Sequence, residues 1–470
     1  LEGERMSKVD TAWLRMDSPA NLMMILGVWT LRPRVSHEAL CERVRERLLG
    51  YNRFRQRVVE DAAGASWQTD PDFDLNRHVV REHLPPSAPG CEQAALQERL
   101  GELAMRPLDR RHPLWQFHLV EDYDGGSALI ARIHHCIADG IALIGVTMSL
   151  VDGGQAPPRR RRRTAETPED WIADALIRPL TDWAVKALDM AGDGAAASLH
   201  LLRDPARGVG GSVDMARLAY QVASDAAALA LMPDDSPTRL KGRPACNKRV
   251  AWCPPLPLDE VKAVGKVLGC SVNDVLLSCV SGAIGAHLRA QGDDVEGQEI
   301  RAMIPVNLRP PEQAWQLGNR FGLVPLVLPI GLAHPLERLY EVRRRMNALK
   351  GSTQPVLAFG VLAVAGLLVK PAQDALLDLF GRKTTAVMTN VPGPRERLKL
   401  CGATLDQCMF WVPQSGNIGL GVSILSYGGG VQFGVITDTA MCPDPQEIIN
   451  QFQPEFERLT LLTLMLPWEN

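Results

Sequence analysis

The sequence predicts an α/β protein of two lobes joined by a helical linker, on three observations. At 470 residues the chain exceeds what one hydrophobic core ordinarily organises. Helix-like and strand-like runs alternate both before about residue 150 and after about residue 245. Between them the composition breaks: Asp152-Gly153-Gly154-Gln155-Ala156-Pro157-Pro158 runs into the five arginines Arg159 to Arg163, local punctuation of a linker. The expected units are residues 6–151, a linker over 152–244 and residues 245–470.

In the first unit Ser36 is placed to cap a helix whose Leu40, Val44 and Leu48 recur at helical spacing. Ser127 to Ile133 reads as a buried strand entering the pair His134-His135, and Gly140 to Val146 reads as the start of a helix. The linker region carries amphipathic stretches such as Trp171 to Ile177, and glycine-rich breaks at Gly192 to Gly194 and Gly208 to Gly211. In the last unit a helix over Leu258–Leu268 stops at Gly269, and a second starts at Ser271 and runs to about Gln291. Strands are expected over Ala302–Val306, Leu323–Ile330, Thr384–Thr389, Ile418–Ser426 and Val431–Thr437, with a charged-faced helix over Pro335–Lys350.

Composition narrows the function. With 46% hydrophobic and 22% charged residues the chain is globular rather than disordered. A net charge of -3 gives no global reason to expect a nucleic-acid partner. Ten cysteines without any C-x-x-C pair make neither a zinc site nor a disulfide framework, and suit a reducing cytoplasm. The start, Met6-Ser7-Lys8-Val9-Asp10, lacks a signal-peptide pattern. The longest apolar run, Val356 to Val369, is shorter than the roughly 18 to 20 residues of a membrane span. The expectation is a cytoplasmic protein without a transmembrane span, able to sit peripherally on the inner membrane or on lipid droplets.

The chemistry points to His134-His135-Cys136-Ile137-Ala138-Asp139-Gly140. Adjacent residues at a strand end face opposite sides, so one imidazole packs while the other faces a groove. A neutral imidazole is the usual general base near neutrality, with an unperturbed pKa of about 6.5. Alone, so short a string also fits two core histidines with Asp139 capping the next helix. H-x-x-x-D without a further ligand is weak ground for zinc, and no G-x-S-x-G elbow supplies a serine nucleophile.

The string resembles the HHxxxDG signature of the chloramphenicol acetyltransferase and condensation-domain superfamily. Further segments resemble, in order, the bacterial wax ester synthase/diacylglycerol acyltransferase family. They are Phe73-Asp74-Leu75-Asn76-Arg77-His78-Val79, Pro107-Leu108-Asp109, Pro113-Leu114-Trp115, Ser271 to Leu277, Ile304 to Arg309 and Thr389-Asn390-Val391-Pro392-Gly393-Pro394. The resemblance implies two chloramphenicol-acetyltransferase-like lobes with the active site in a channel between them. It implies transfer of a long acyl chain from acyl-CoA, a co-substrate rather than a bound cofactor, to diacylglycerol or a long-chain alcohol. One departure stands near the start, where the family's Met-His-Val-Gly is replaced around Asn21-Leu22-Met23-Met24-Ile25; it bears on chain-length preference.

By the same resemblance His135 is the base, His134 its structural partner, and Asp139, before Gly140, holds the loop by pairing with an arginine, for which Arg55 is the candidate. Asn273 and Asp274 border the site from the second lobe, Asn273 as a donor to the developing oxyanion. Ser271 and Asp274 also fit a capping box. Gly318 to Gly322 and Asn390 to Pro394 are read as scaffold, and the five arginines as a solvated linker or a contact for anionic headgroups. Two alternatives stay open: a condensation-type, carrier-dependent acyltransferase, and a non-catalytic scaffold on lipid droplets.

Overall fold

Two large antiparallel-rich sheets, which share an apolar core, and a smaller three-stranded sheet carry the fold. The computed structural model describes residues 3–61, 64–138, 140–154, 230–307, 321–351 and 370–466. Asp139, Arg159–Arg163, most of the 152–244 linker, Leu308 and Arg309, Gly318 to Arg320, and Val356–Val369 lie outside the described residues.

The first part of the chain runs β1 (Glu4–Arg5), α1 (Lys8–Arg15), β2 (Met24–Arg32), α2 (His37–Arg47), β3 (Gln56–Asp61), β4 (Gly64–Thr69), α3 (Leu75–His78), β5 (Val79–Glu82), α4 (Glu92–Ala104), β6 (Trp115–Tyr123), β7 (Gly126–His134) and α5 (Gly140–Leu150). The second runs β8 (Lys248–Trp252), β9 (Leu256–Pro257), α6 (Leu258–Leu268), α7 (Val272–Ala290), β10 (Ile300–Asn307), β11 (Phe321–Leu328), α8 (Pro335–Gly351), α9 (Lys370–Lys383), β12 (Ala386–Pro392), β13 (Lys399–Leu400), β14 (Ala403–Trp411), β15 (Leu420–Tyr427), β16 (Gly430–Asp438) and α10 (Gln446–Met465).

The local chemistry of the expected elements is visible. Ser36 accepts from the Ala39 amide at 3.2 Å and opens α2, whose Leu40 and Val44 are buried. Gly269 ends α6 in the left-handed region at φ 66°, open to a residue without Cβ. Ser271 and Asp274 form a reciprocal capping box at the start of α7, with bonds of 3.1 and 2.8 Å.

One sheet has the order β13-β14-β2-β7-β6-β5, the other β11-β10-β12-β15-β16-β8 with β9 beside β16. A division of the chain at about residue 245 does not describe the first sheet. Its strands β13 and β14 come from residues 399–411, and β14 lies antiparallel on β2. Side-chain alternation gives that sheet two faces. Leu26, Val28, Ala128 and Ile130 point to a core shared with Val250, Trp252, Met409 and Trp411. Ile25, Leu31, Leu129 and Ile133 point to the core beneath α1 and α5. Among the described residues no single helix is long and apolar enough to cross a membrane.

The two parts meet over a buried lysine. Lys248 donates from Nζ to Asn21 Oδ1 at 2.6 Å and Gln414 Oε1 at 2.9 Å, while Asn21 donates to the carbonyls of Gly416 and Ile418. Burial pushes its ammonium down to about 8 from the ordinary 10.5. Between those values the unfolded chain holds a proton that the folded one has released, so stability rises with pH. The wild type should therefore gain on Lys248→Met between pH 8 and 10.5, by at most about 1.4 kcal/mol per pH unit. Denaturant titrations over that range check it, and a constant gap contradicts it.

Candidate active site

Beta strand β7 delivers the two histidines to a turn at the end of the first sheet, as the sequence pattern predicts. Both are buried, 4% and 3% exposed, so neither imidazole is a surface group. Their environments differ. His134 Nδ1 accepts the Cys136 amide at 3.1 Å, which leaves its proton on Nε2, 3.3 Å from both oxygens of Asp17. Each of its nitrogens is thus engaged. His135 lies against the indole of Trp13, ring centroids 4.1 Å apart and planes 27° from parallel. Its backbone amide donates to the Met23 carbonyl at 2.7 Å.

Asp17 organises this corner. It accepts the Met23 amide at 2.7 Å and a 3.2 Å contact from Arg110, which also donates to the Leu14 carbonyl at 2.9 Å. The Met23 peptide is consequently clamped between Asp17 and His135. Burial pushes the Asp17 carboxyl up, but His134, the Met23 amide and Arg110 outweigh it and hold the carboxyl below its ordinary value of 3.8. Removing it strands buried donors, so Asp17→Ala should cost about 1 to 3 kcal/mol. A group held low contributes fully above its unfolded pKa and loses that contribution as pH falls through the lowered folded value. The stability gap to wild type, read by denaturation, should therefore close on acidification.

The segments before the histidines buttress the loop. Phe73 stacks on His78 and His78 on Trp115, with centroids 5.0 and 4.6 Å apart. Trp115 donates its indole N–H to the Phe54 carbonyl at 2.9 Å, and the Leu114 carbonyl accepts the His134 amide at 2.9 Å. Cys136 is fully buried, which pushes its thiol well above the ordinary value and leaves it an inert hydrophobe.

The other sequence candidates separate. Asp139 lies outside the described residues, so the pairing with Arg55 has no geometry; Arg55 is exposed and donates to Asn52 at 3.2 Å. Gly140 begins α5. Asp274 is buried in the capping box. Asn273 is exposed, and its side-chain oxygen accepts from Asn390 Nδ2 at 3.0 Å. The segment Asn390 to Pro394 is thus more than scaffold: Asn390 holds Asn273, while Val391, Gly393 and Pro394 line a cavity.

That cavity, about 120 Å³, lies between the first sheet, α5 and the turn after β12. Its floor includes Ile133, two residues before His135, and its walls are almost wholly apolar. Among the described residues no group of His, Cys, Asp or Glu is arranged to hold a metal ion. Nothing local in the sequence points to Trp13, Asp17 or Arg110, and Asn390 stands out there only as part of a scaffold turn. Asp17-Ser18-Pro19 reads only as turn chemistry, and the others act through distant packing.

Comparison with known proteins agrees with this architecture. Residues 6–276 match the family of wax ester synthase/diacylglycerol acyltransferase catalytic domains, and residues 317–460 its C-terminal domain. The probable diacylglycerol O-acyltransferase tgs1 of Mycobacterium tuberculosis is 28% identical over 443 residues, covering 92% of this chain and 89% of the relative. A putative diacylglycerol O-acyltransferase of Mycobacterium bovis is 30% identical over 412 residues, covering 84% of this chain and 77% of the relative. The fold matches the wax ester synthase/diacylglycerol acyltransferase from Marinobacter aquaeolei VT8 at TM-score 0.68 and 19% identity, over 98% of this chain and 100% of that one. It matches the first condensation domain of the CDA synthetase at TM-score 0.57 and 14% identity, over 99% and 97%. With family signatures over both parts of the chain and a two-lobed α/β fold to match, this chain is an O-acyltransferase and belongs to the wax ester synthase/diacylglycerol acyltransferase family.

Proposed function

We propose that the protein transfers a long acyl chain from acyl-CoA to the hydroxyl of diacylglycerol, of a fatty alcohol, or of both, with His135 as general base and no covalent acyl-enzyme. One observation carries the assignment of the base. Both nitrogens of His134 are engaged, by Cys136 and Asp17, which suits it to a structural role, and the neighbouring His135 lies two residues past Ile133 of the apolar cavity.

In this reading an imidazole nitrogen of His135 takes the proton of the substrate hydroxyl as its oxygen attacks the thioester carbonyl. The tetrahedral intermediate collapses with cleavage of the carbon–sulfur bond, and the proton returns to the leaving thiolate. Both substrates occupy the site together, so the reaction is direct. Asn273, its oxygen fixed by Asn390, presents its amide nitrogen as a donor to the oxyanion. Asp139 keeps the structural role given by the resemblance, and Asp274 that of a cap. The relatives' names as diacylglycerol O-acyltransferases support diacylglycerol as one acceptor.

A peripheral contact with a membrane or lipid-droplet surface belongs to the same proposal. Leu461, Leu464 and Met465, 60%, 61% and 79% exposed at the end of α10, support it.

Thiol release from hexadecanoyl-CoA, measured with and without hexadecanol or diacylglycerol and paired with analysis of the esters, tests the reaction. Acceptor-dependent release with a matching ester is the expected result. Release that ignores both acceptors, or transfer only from a carrier-bound thioester, overturns it.

A further inference from the structure

The floor of the apolar cavity has a profile that bears on substrate length, and the inference drawn from it rests on the acyltransfer reading above. Across the first sheet, Phe410 on β14 pairs with Gly27 on β2, Gly27 with Ala131 on β7, and Ala131 with Phe117 on β6. All four line the cavity. The two smallest side chains of the row therefore lie side by side at its centre, between two phenylalanine walls. In the next row away from the histidines Trp29 pairs with Leu129, and the floor rises again.

The glycine is not there for its backbone. A Cβ built on Gly27 would meet its nearest atoms at 3.6 to 3.8 Å, ordinary contact distances. Gly126 at the start of β7 is the contrast, since a Cβ there would lie 2.0 Å from the Leu31 carbonyl oxygen. A mid-strand glycine costs roughly 0.5 to 1 kcal/mol relative to alanine, and at Gly27 no fold requirement offsets that. What a side chain would occupy is the cavity.

We propose that Gly27 and Ala131 are specificity-determining residues: together they form a trough that admits an extended alkyl chain past the mid-cavity, and Trp29 with Leu129 forms the wall that ends it. Ala131 lies four positions before His135, about 13 Å along the chain at 3.3 Å per residue. An extended chain advances about 1.3 Å per carbon, the projection of a carbon–carbon bond, so about ten carbons reach the trough and the remainder lies beyond it. Tyr427 stiffens the far side, because its hydroxyl donates to the Leu405 carbonyl at 2.7 Å and accepts the Leu398 amide at 2.8 Å.

The test compares wild type with Gly27→Leu, which fills the trough, and Trp29→Ala, which lowers the wall. Rates are measured along a series from octanoyl-CoA to octadecanoyl-CoA with one alcohol, and from octanol to octadecanol with one thioester. Gly27→Leu should lower the hexadecyl-to-octyl rate ratio roughly tenfold or more in one of the two series. Trp29→Ala should move the same optimum to longer chains. The series that responds identifies the chain held in the trough, that of the thioester or that of the alcohol. Melting temperatures confirm folding, with Gly27→Ala as the mild control. Thermal stabilisation by hexadecanoyl-CoA against octanoyl-CoA, and by hexadecanol against octanol, reads the same preference without turnover. If wild type forms no ester while these binding preferences still shift in Gly27→Leu, the acyltransfer reading falls and the trough stands. If a folded Gly27→Leu keeps the wild-type ratios in rate and in stabilisation, the trough is overturned.

Discussion

His135→Ala should lower ester formation by roughly a hundred- to ten-thousandfold, the ordinary worth of a positioned general base. On the proposed mechanism the loss should fall on turnover, because the imidazole would act on the hydroxyl proton in the transition state while the apolar cavity would do the holding. The substitution also removes the ring that stacks on Trp13, so folding is checked alongside by melting temperature. His134→Ala makes the informative comparison. It strips a partner from Asp17 and from the Cys136 amide, and should therefore lose stability together with activity. Thiol release with acceptor present, measured for both variants beside wild type, separates the two roles. Equal rates in wild type and His135→Ala contradict the assignment.

The largest stability effect is expected far from that loop, at Glu455. This side chain of α10 pairs with Arg338 of α8, and both are almost completely buried. Arg338 spends its remaining donors on the carbonyls of Ser278 at 3.1 Å, Leu332 at 2.8 Å and Ala333 at 3.3 Å. Gly282 on α7 gives the pair its room, since a Cβ there would lie 2.5 Å from both partners. Three helices thus close on one ion pair. Glu455→Ala leaves the guanidinium buried without its carboxylate, a change that typically costs about 3 to 5 kcal/mol. Replacing both partners with apolar residues of similar volume should cost less, because the desolvation penalty disappears with the charges. Chemical denaturation of the single and double variants reads the difference, and a Glu455→Ala loss below about 1 kcal/mol contradicts it.

Much of this fold is legible in the sequence because it rests on local chemistry. Helices α2, α6 and α7 announce themselves by Ser36, Gly269 and the Ser271–Asp274 box, and β7 by an apolar run ending in two histidines. Strands β2 and β14 are less legible, since their pairing partners lie at opposite ends of the chain and leave no local trace. The same limit governs the site. The histidine loop is contiguous and readable, whereas Asp17, Trp13 and Arg110 reach it through tertiary packing. Asn390 shows the limit from the other side: its motif marks the family in sequence, but only the fold brings it against Asn273.

The crossing of β13 and β14 into the first sheet has a consequence for how the protein is made. Until residues 399–411 leave the ribosome, β2 has an open edge, a template for pairing with other chains. Closing it requires contacts between the two ends of the polypeptide, the slowest kind to form, and long-lived open edges favour aggregation during synthesis. The same strand brings Cys408 and Phe410 to the cavity. The apolar cavity therefore comes into being at the same moment as the seam that joins the two ends of the chain.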